Sequence, residues 1–305
     1  MHSSKYSSII DIVMDETTSS PLHTYDPIPD ELEPQRKHAL NIKPFLFLGT
    51  AITLLVLTVI FLPQYLNNTT TLTPTPIPNV DRIISNGTIV IGTDATYPPM
   101  ESLDDNDNLV GYDIDLGKKI AETLGVTATF KNIEWDSLFT ALENGEVDVV
   151  ISAVTINDER KLLYSFSDAY LNAGQVIITQ KSNTTISNVT DLNGKKIAVQ
   201  KGTTNETEAK KYTSEDLVMS YDNFEDATTA LVNGQVDSIF SDLTNAKGIL
   251  QDNPTLKIVS SPFTNDFYGI VIRSNETDLT TRINEALNSL RQQGFLVFLQ
   301  QKWLE

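Results

Sequence analysis

The chain of 305 residues has no cysteine, and its only histidines are His2, His23 and His38. The first absence removes disulfides, thiol nucleophiles, thiolate metal sites and lipid attachment through cysteine, and it leaves the redox compartment open. The second all but excludes imidazole catalysis and histidine-held metal from everything after residue 38. Basic residues are scarce as well: 22 Lys and Arg against 40 Asp and Glu give a net charge of −18. That balance argues against nucleic acid or anionic lipid as the main partner. The acidic run Asp104–Asn108 lacks the spaced Gly and distal Glu of a calcium loop and reads as a solvated hairpin turn. No metal or cofactor is expected.

Long apolar runs are missing too, with one exception. Phe45–Leu62 (FLFLGTAITLLVLTVIFL) carries no charge, and at roughly 1.5 Å per residue it spans about 27 Å, close to a bilayer core. Its 44-residue lead and the following Pro63-Gln64-Tyr65 suit an uncleaved anchor better than a signal peptide. Arg36, Lys37 and Lys43 precede it and no Lys or Arg follows until Arg82, so the N-terminus is expected in the cytoplasm and the rest outside. The expected order is a disordered tail (1–43, broken by Pro21, Pro27, Pro29 and Pro34), a single-pass anchor in the cell membrane (44–63) and a Thr/Pro linker (64–80). Asn-x-Thr sequons stand at Asn67, Asn68, Asn86, Asn183, Asn188, Asn205 and Asn275, all on the expected outer side.

The body, from about Asp81 to Glu305, alternates strand-like runs (88–92, 147–152, 175–179, 196–199, 236–240, 268–272) with helical patterns (113–124, 280–292). That is an α/β pattern. An internal repeat bears on architecture: ALENGEVDVVIS (Ala141–Ser152) recurs as ALVNGQVDSIFS (Ala230–Ser241). Each copy reads as a helix end, a Gly cap and a strand ending at a polar position. Upstream of each stands another strand ending in a polar loop, Ile89–Asp94 and Ile197–Thr204. Two similar lobes aiming strand ends at a shared cleft is the simplest construction. The densest stretch is Val147–Lys161, where a buried strand breaks into Ser152-Ala153-Val154-Thr155 and then a helix start at Asn157-Asp158-Glu159. Arg160 thus falls near a strand end in a first helical turn, where open α/β sheets bind ligands. A carboxylate gripped by its fork is one reading; a surface ion pair with Asp158 or Glu159 is the other.

These pieces taken together resemble the extracytoplasmic solute-binding proteins of family 3, the polar amino-acid binding proteins of ABC importers. The resemblance rests on GTDATYPPME (Gly92–Glu101), LVGYDIDL (Leu109–Leu116), SAVTINDERK (Ser152–Lys161), QKGTTN (Gln200–Asn205) and the closing Leu290–Trp303. It implies a two-lobed type II periplasmic-binding-protein clamshell, with lobe 1 at 81–172 and 268–305 and lobe 2 at 173–267. Hinges would fall near Tyr170–Gly174 and Asp266–Gly269. It also implies that Arg160 pairs with a ligand α-carboxylate, helped by Thr155 and the Thr204 N–H. The α-ammonium would meet Asp242, the carbonyls near Ser152 or Ala153, and the Thr155 hydroxyl. Tyr97 and Trp135 would flank the ligand side chain, with Asp94, Gln200 and Asn205 tuning its choice. Apart from the resemblance, Asp242 reads as a helix cap, Trp135 as a core residue and Tyr97 as a turn filler. With Asp94 in the pocket, a basic or polar uncharged L-amino acid fits better than an acidic one. The expected protein is a non-enzymatic, membrane-tethered receptor serving an ABC permease. The rivals are a sensing subunit of a signalling complex and a dehydratase-like enzyme on the same fold.

Overall fold

The structure is a computed structural model that describes residues 79–305. The expected tail, the apolar anchor and most of the Thr/Pro linker lie outside the described residues. Among the described residues no helix is long and apolar enough to cross a membrane.

Helix α1 (Asn79–Asn86) leads into β1 (Thr88–Thr93) and a small antiparallel layer of β2 (Thr96–Tyr97), β3 (Glu101–Leu103) and β4 (Leu109–Val110). The turn between β3 and β4 is held by the Asp104 carboxylate, which accepts from the Asn106 and Asn108 N–H groups at 2.8 and 2.9 Å. Then come α2 (Tyr112–Thr123), β5 (Thr127–Asn132), α3 (Trp135–Glu143), β6 (Val149–Val150), the single turn α4 (Asp158–Lys161) and β7 (Tyr164–Phe166). After β8 (Leu171–Asn172) the chain builds β9 (Gln175–Gln180), β10 (Ile197–Gln200), α5 (Thr204–Ala209), β11 (Val218–Tyr221), α6 (Phe224–Val232), β12 (Ser238–Asp242), α7 (Leu243–Asp252) and β13 (Leu256–Ile258). It returns through β14 (Phe267–Tyr268) to β15 (Val271–Arg273) and closes with α8 (Thr277–Gln292) and α9 (Phe295–Trp303).

The strands form two five-stranded sheets, ordered β5-β1-β6-β15-β7 and β11-β10-β12-β9-β13. In each, two parallel pairings surround the second strand in the order and one strand inserts antiparallel: the last in the chain, β15, in the first sheet, and the first in the chain, β9, in the second. The chain passes between the sheets twice, and the two passages pair with each other as β8 and β14. Each sheet has its own apolar centre, Leu138, Val150 and Val271 in one and Ile177, Ile197 and Phe240 in the other. Burying each such side chain contributes roughly 1.5–3 kcal/mol.

The sequence repeat has a structural basis. Asp148 and Asp237 occupy equivalent places ahead of β6 and β12. Asp148 donates its N–H to the Val90 carbonyl and takes the Val90 N–H on its carboxylate at 2.8 Å. Asp237 does the same with Lys196, also at 2.8 Å. Each aspartate therefore clamps the first parallel strand of its lobe and fixes where the next strand ends.

Two expected strands are corrected. The run 147–152 shortens to Val149–Val150, because the chain beyond it leaves the sheet: Ala153 takes a left-handed backbone, φ 46°. The run 268–272 is two strands. Tyr268 pairs with Leu171 in the β8–β14 ladder, whereas Val271 pairs with Val150 and Phe166, so the strand changes partners at Gly269.

Candidate functional site

A cleft of about 370 Å³ lies between the sheets, at the ends of β1, β6, β10 and β12. All of the residues singled out in the sequence line it: Asp94, Tyr97, Trp135, Ser152, Ala153, Thr155, Arg160, Gln200, Thr204, Asn205 and Asp242. Glu101, Thr203 and Phe224 complete the wall.

Arg160 is placed by local structure. Asn157 caps α4 by accepting the Arg160 N–H at 2.8 Å, and the guanidinium donates to the Thr155 carbonyl at 2.9 Å. It lies over the rings of Trp135 (5.4 Å) and Phe139 (5.6 Å). The surface ion pair with Asp158 or Glu159 does not form; Asp158 is 3.9 Å from Lys161 instead. Among the described residues no carboxylate bridges to Arg160. Burial draws its pKa down to about 10 against the pull of Asp242 and Glu159. The charged fork therefore lacks an anionic partner in a desolvated place, an arrangement that favours binding an anion.

Asp242 faces the same space from the other lobe. It stands at the N-cap position of α7 but makes no capping bond. Its carboxylate, 3% exposed, accepts from the Tyr268 hydroxyl at 2.5 Å and the Asn205 amide at 3.0 Å. These neutral donors orient the carboxylate without neutralising it, and burial raises its pKa. Asn205, buried and committed to Asp242, has no room for a glycan.

The rest of the wall separates into polar and aromatic parts. Asp94, at the end of β1, accepts from the Thr96 hydroxyl (2.9 Å) and the Trp135 N–H (3.2 Å); burial raises its pKa, while these bonds and one from Gln200 oppose the shift. Thr203 caps α5 and donates to the Gln200 carbonyl at 2.6 Å. Tyr97 packs on Phe224 of the opposite lobe with ring centroids 5.3 Å apart, and Trp135 stands edge-on to Phe139. Lys201 and Asp136 meet across the cleft mouth at 2.5 Å. The loop after β6 is also tied to the β8–β14 ladder: Thr155 bridges Tyr268, and Ile156 donates its N–H to the Phe267 carbonyl at 2.8 Å.

Sequence reasoning missed Glu101, Thr203, Phe224 and Tyr268. Glu101 and Thr203 sit inside stretches that had already stood out. Phe224 opens α6 after the cap Asn223 and has no local signal, since only the meeting of the lobes brings it to Tyr97.

Residues 89–305 match the family described as bacterial extracellular solute-binding proteins, family 3. The putative ABC transporter arginine-binding protein 2 of Escherichia coli is 32% identical over 223 residues, covering 72% of this chain and 91% of that protein. A solved ancestral arginine-binding protein bound to arginine is 41% identical with a TM-score of 0.69, covering 72% of this chain and 99% of that one. An ancestral amino acid-binding protein described as a precursor of cyclohexadienyl dehydratase is 33% identical, TM-score 0.68, covering 74% and 100%. The two-lobed α/β periplasmic-binding fold is thus shared, and the similar curated proteins are binding proteins of amino-acid transporters rather than enzymes.

Proposed function

We propose that this chain, which belongs to family 3 of the bacterial extracellular solute-binding proteins, is a receptor for a free basic or polar uncharged L-amino acid. The observation that carries the reading is the placing of Arg160 and Asp242 in one cleft, Asp242 buried and Arg160 half-buried, each without an oppositely charged partner among the described residues. A zwitterion supplies the carboxylate that one lacks and the ammonium that the other lacks. Thr155 and the Thr204 N–H add neutral donors beside the carboxylate; carbonyls near Ser152 and Ala153 add acceptors beside the ammonium. Tyr97, Phe224 and Trp135 bound the side-chain space, and Asp94 and Gln200 give it polar ends. An acidic side chain would meet Asp94 unpaired, at a cost of several kcal/mol where water is excluded. Relatives that bind arginine support a basic ligand; an ancestral arginine-binding protein solved with glutamine supports keeping the polar uncharged class.

The test is a thermal-shift screen of the full chain in detergent, refolded to strip carried-over ligand, over the common amino acids. A ligand that binds only the folded form raises stability by about 2.7 kcal/mol at a hundredfold excess over Kd. Arginine, lysine, histidine or glutamine is expected to give the largest shift and glutamate the smallest. No shift with any of them would end the receptor reading; consumption of the ligand would favour an enzyme.

The receptor reading includes a tether. Phe45–Leu62 would hold the domain outside the cell membrane, beside an ABC permease that accepts the ligand, with residues 1–43 in the cytoplasm. The lack of native cysteine makes this direct to check. In intact cells a membrane-impermeant maleimide is expected to label a Ser187→Cys variant and spare Ser19→Cys. The reverse pattern, or equal labelling, would overturn the topology.

A further inference from the structure

At the back of the cleft lies a pair of carboxyl groups that zwitterion binding leaves unused. Glu101, on β3, is 1% exposed, and Asp113, in the first turn of α2, is fully buried. Glu101 Oε1 accepts from the Ser152 hydroxyl at 3.0 Å. Asp113 Oδ2 accepts from the Ala153 N–H at 2.7 Å and the Tyr170 hydroxyl at 2.8 Å. The remaining oxygens, Glu101 Oε2 and Asp113 Oδ1, are both buried without a donor, and the two carboxyls are brought together by the Asp113 N–H bonded to the Met100 carbonyl at 2.9 Å and by their bonds to the adjoining residues Ser152 and Ala153. Two ionised carboxylates brought together in this way repel strongly, whereas one proton between them supplies both orphan oxygens.

We propose that Glu101 and Asp113 share one proton and act as a positioning pair, fixing Ser152 and the Ala153 peptide and keeping one negative charge behind them that favours a cationic ligand. The proposal rests on the receptor reading for its ligand arm. Glu101 is the acid: burial first, then the charge of Asp113, holds its pKa well above the carboxylate range. Burial also pushes Asp113 up, to about 6, against the bonds from Ala153 and Tyr170. The chain of contacts is continuous. Ser152 Oγ accepts the Asp94 N–H at 3.0 Å while donating to Glu101, so the ends of β1 and β6 share one brace. Ala153 is left-handed at φ 46°, a conformation non-glycine residues seldom adopt, and the Asp113 bond to its N–H holds it there.

The groups around the pair set the sign. Asp94 and Tyr97 face it from the β1–β2 side, Tyr112 from α2 and Tyr170 from the approach to β8; Arg160 lines the cleft on the same lobe, and Asp242 stands across it. Asp115, also on α2, is taken by Lys302 at 2.7 Å and by the Trp303 N–H. Among the described residues no cation pairs with either carboxyl. Below about pH 6 the pair takes up a second proton, on Asp113, the retained charge disappears, and a cationic ligand loses attraction. The unliganded fold responds in the opposite direction. A carboxyl whose folded pKa is raised adds stability as pH falls through it.

The experiment titrates L-arginine and L-lysine into the full chain in detergent by calorimetry across that range. Affinity is expected to fall by roughly tenfold between about pH 7 and about pH 5, the weight of one unit of differential protonation. Glu101→Gln keeps the dependence, since its amide donates the bond that the acid proton supplied; Asp113→Asn removes it. Infrared spectra of the unliganded protein at neutral pH are expected to show a protonated-carboxyl band that Glu101→Gln lacks. A dependence that survives Asp113→Asn, or the absence of that band, overturns the proposal. The band decides the matter even where Asp113→Asn fails to fold. If neither amino acid binds while the band is present, the receptor reading falls and proton sharing stands.

Discussion

Arg160→Ala is expected to lower affinity for the cognate amino acid by between about a hundredfold and several thousandfold, the equivalent of removing one member of a desolvated charge pair at about 3–5 kcal/mol. The expectation follows from what surrounds the side chain. Its Thr155 contact and its place over Trp135 and Phe139 orient the fork, yet none of these partners is anionic. A ligand carboxylate would be its one close counter-charge, so most of the Coulomb term belongs to binding rather than to folding. Hence the unliganded protein should melt at nearly its original temperature while the ligand-induced shift vanishes. Arg160→Lys should recover only part of the loss, since a point charge cannot reproduce two parallel N–H donors. Calorimetry with L-arginine on the three proteins checks all of this, and a loss below about tenfold for alanine would place the carboxylate elsewhere.

How much of this was legible beforehand depends on how local the cause is. Asn157 and Arg160 could be read because a capping residue and the turn it starts are neighbours in sequence, and the structure keeps them so. The two Asn-Gly-x-Val-Asp segments were legible because each aspartate performs the same strand clamp in its own sheet. What the sequence hid are consequences of long-range closure. Phe224 matters through Tyr97, more than a hundred residues earlier. Asp242 looked like a helix cap, and by position it is one. Its carboxylate is drawn away by Tyr268, a residue of the returning strand β14. Tyr268 itself was submerged in an apolar run that reads as one strand and folds as two. Periodicity reports that a residue is buried. It does not report which sheet claims it.

The ladder of β8 and β14 would couple binding to any closure of the lobes. Thr155 and Ile156 are bonded to β14, and Tyr268 of β14 holds Asp242. Both charged ends of the proposed zwitterion site are therefore anchored to one short strand between the lobes. Separating the lobes would have to move Asp242 relative to that strand or carry the strand with it.

Gly248→Ala should expose this coupling, because it separates closure from folding. Gly248 lies within α7 on the second lobe, and a Cβ there would come 2.5 Å from the Pro98 carbonyl oxygen and 3.0 Å from its carbon on the first lobe. Inside the helix the substitution is favourable, by up to about 1 kcal/mol from propensity alone. Across the interface it meets backbone, which has no rotamer to swing aside. The unliganded protein should therefore keep or gain thermal stability while the lobes are held apart. Affinity is expected to fall by roughly tenfold to a hundredfold, as a ligand that needs the closed form must offset its reduced population. Small-angle scattering on saturated protein should show a larger radius of gyration than wild type under the same conditions. Wild-type affinity in the variant would mean that the Pro98–Gly248 contact yields without cost, and that the ligand is gripped by one lobe rather than by closure of both.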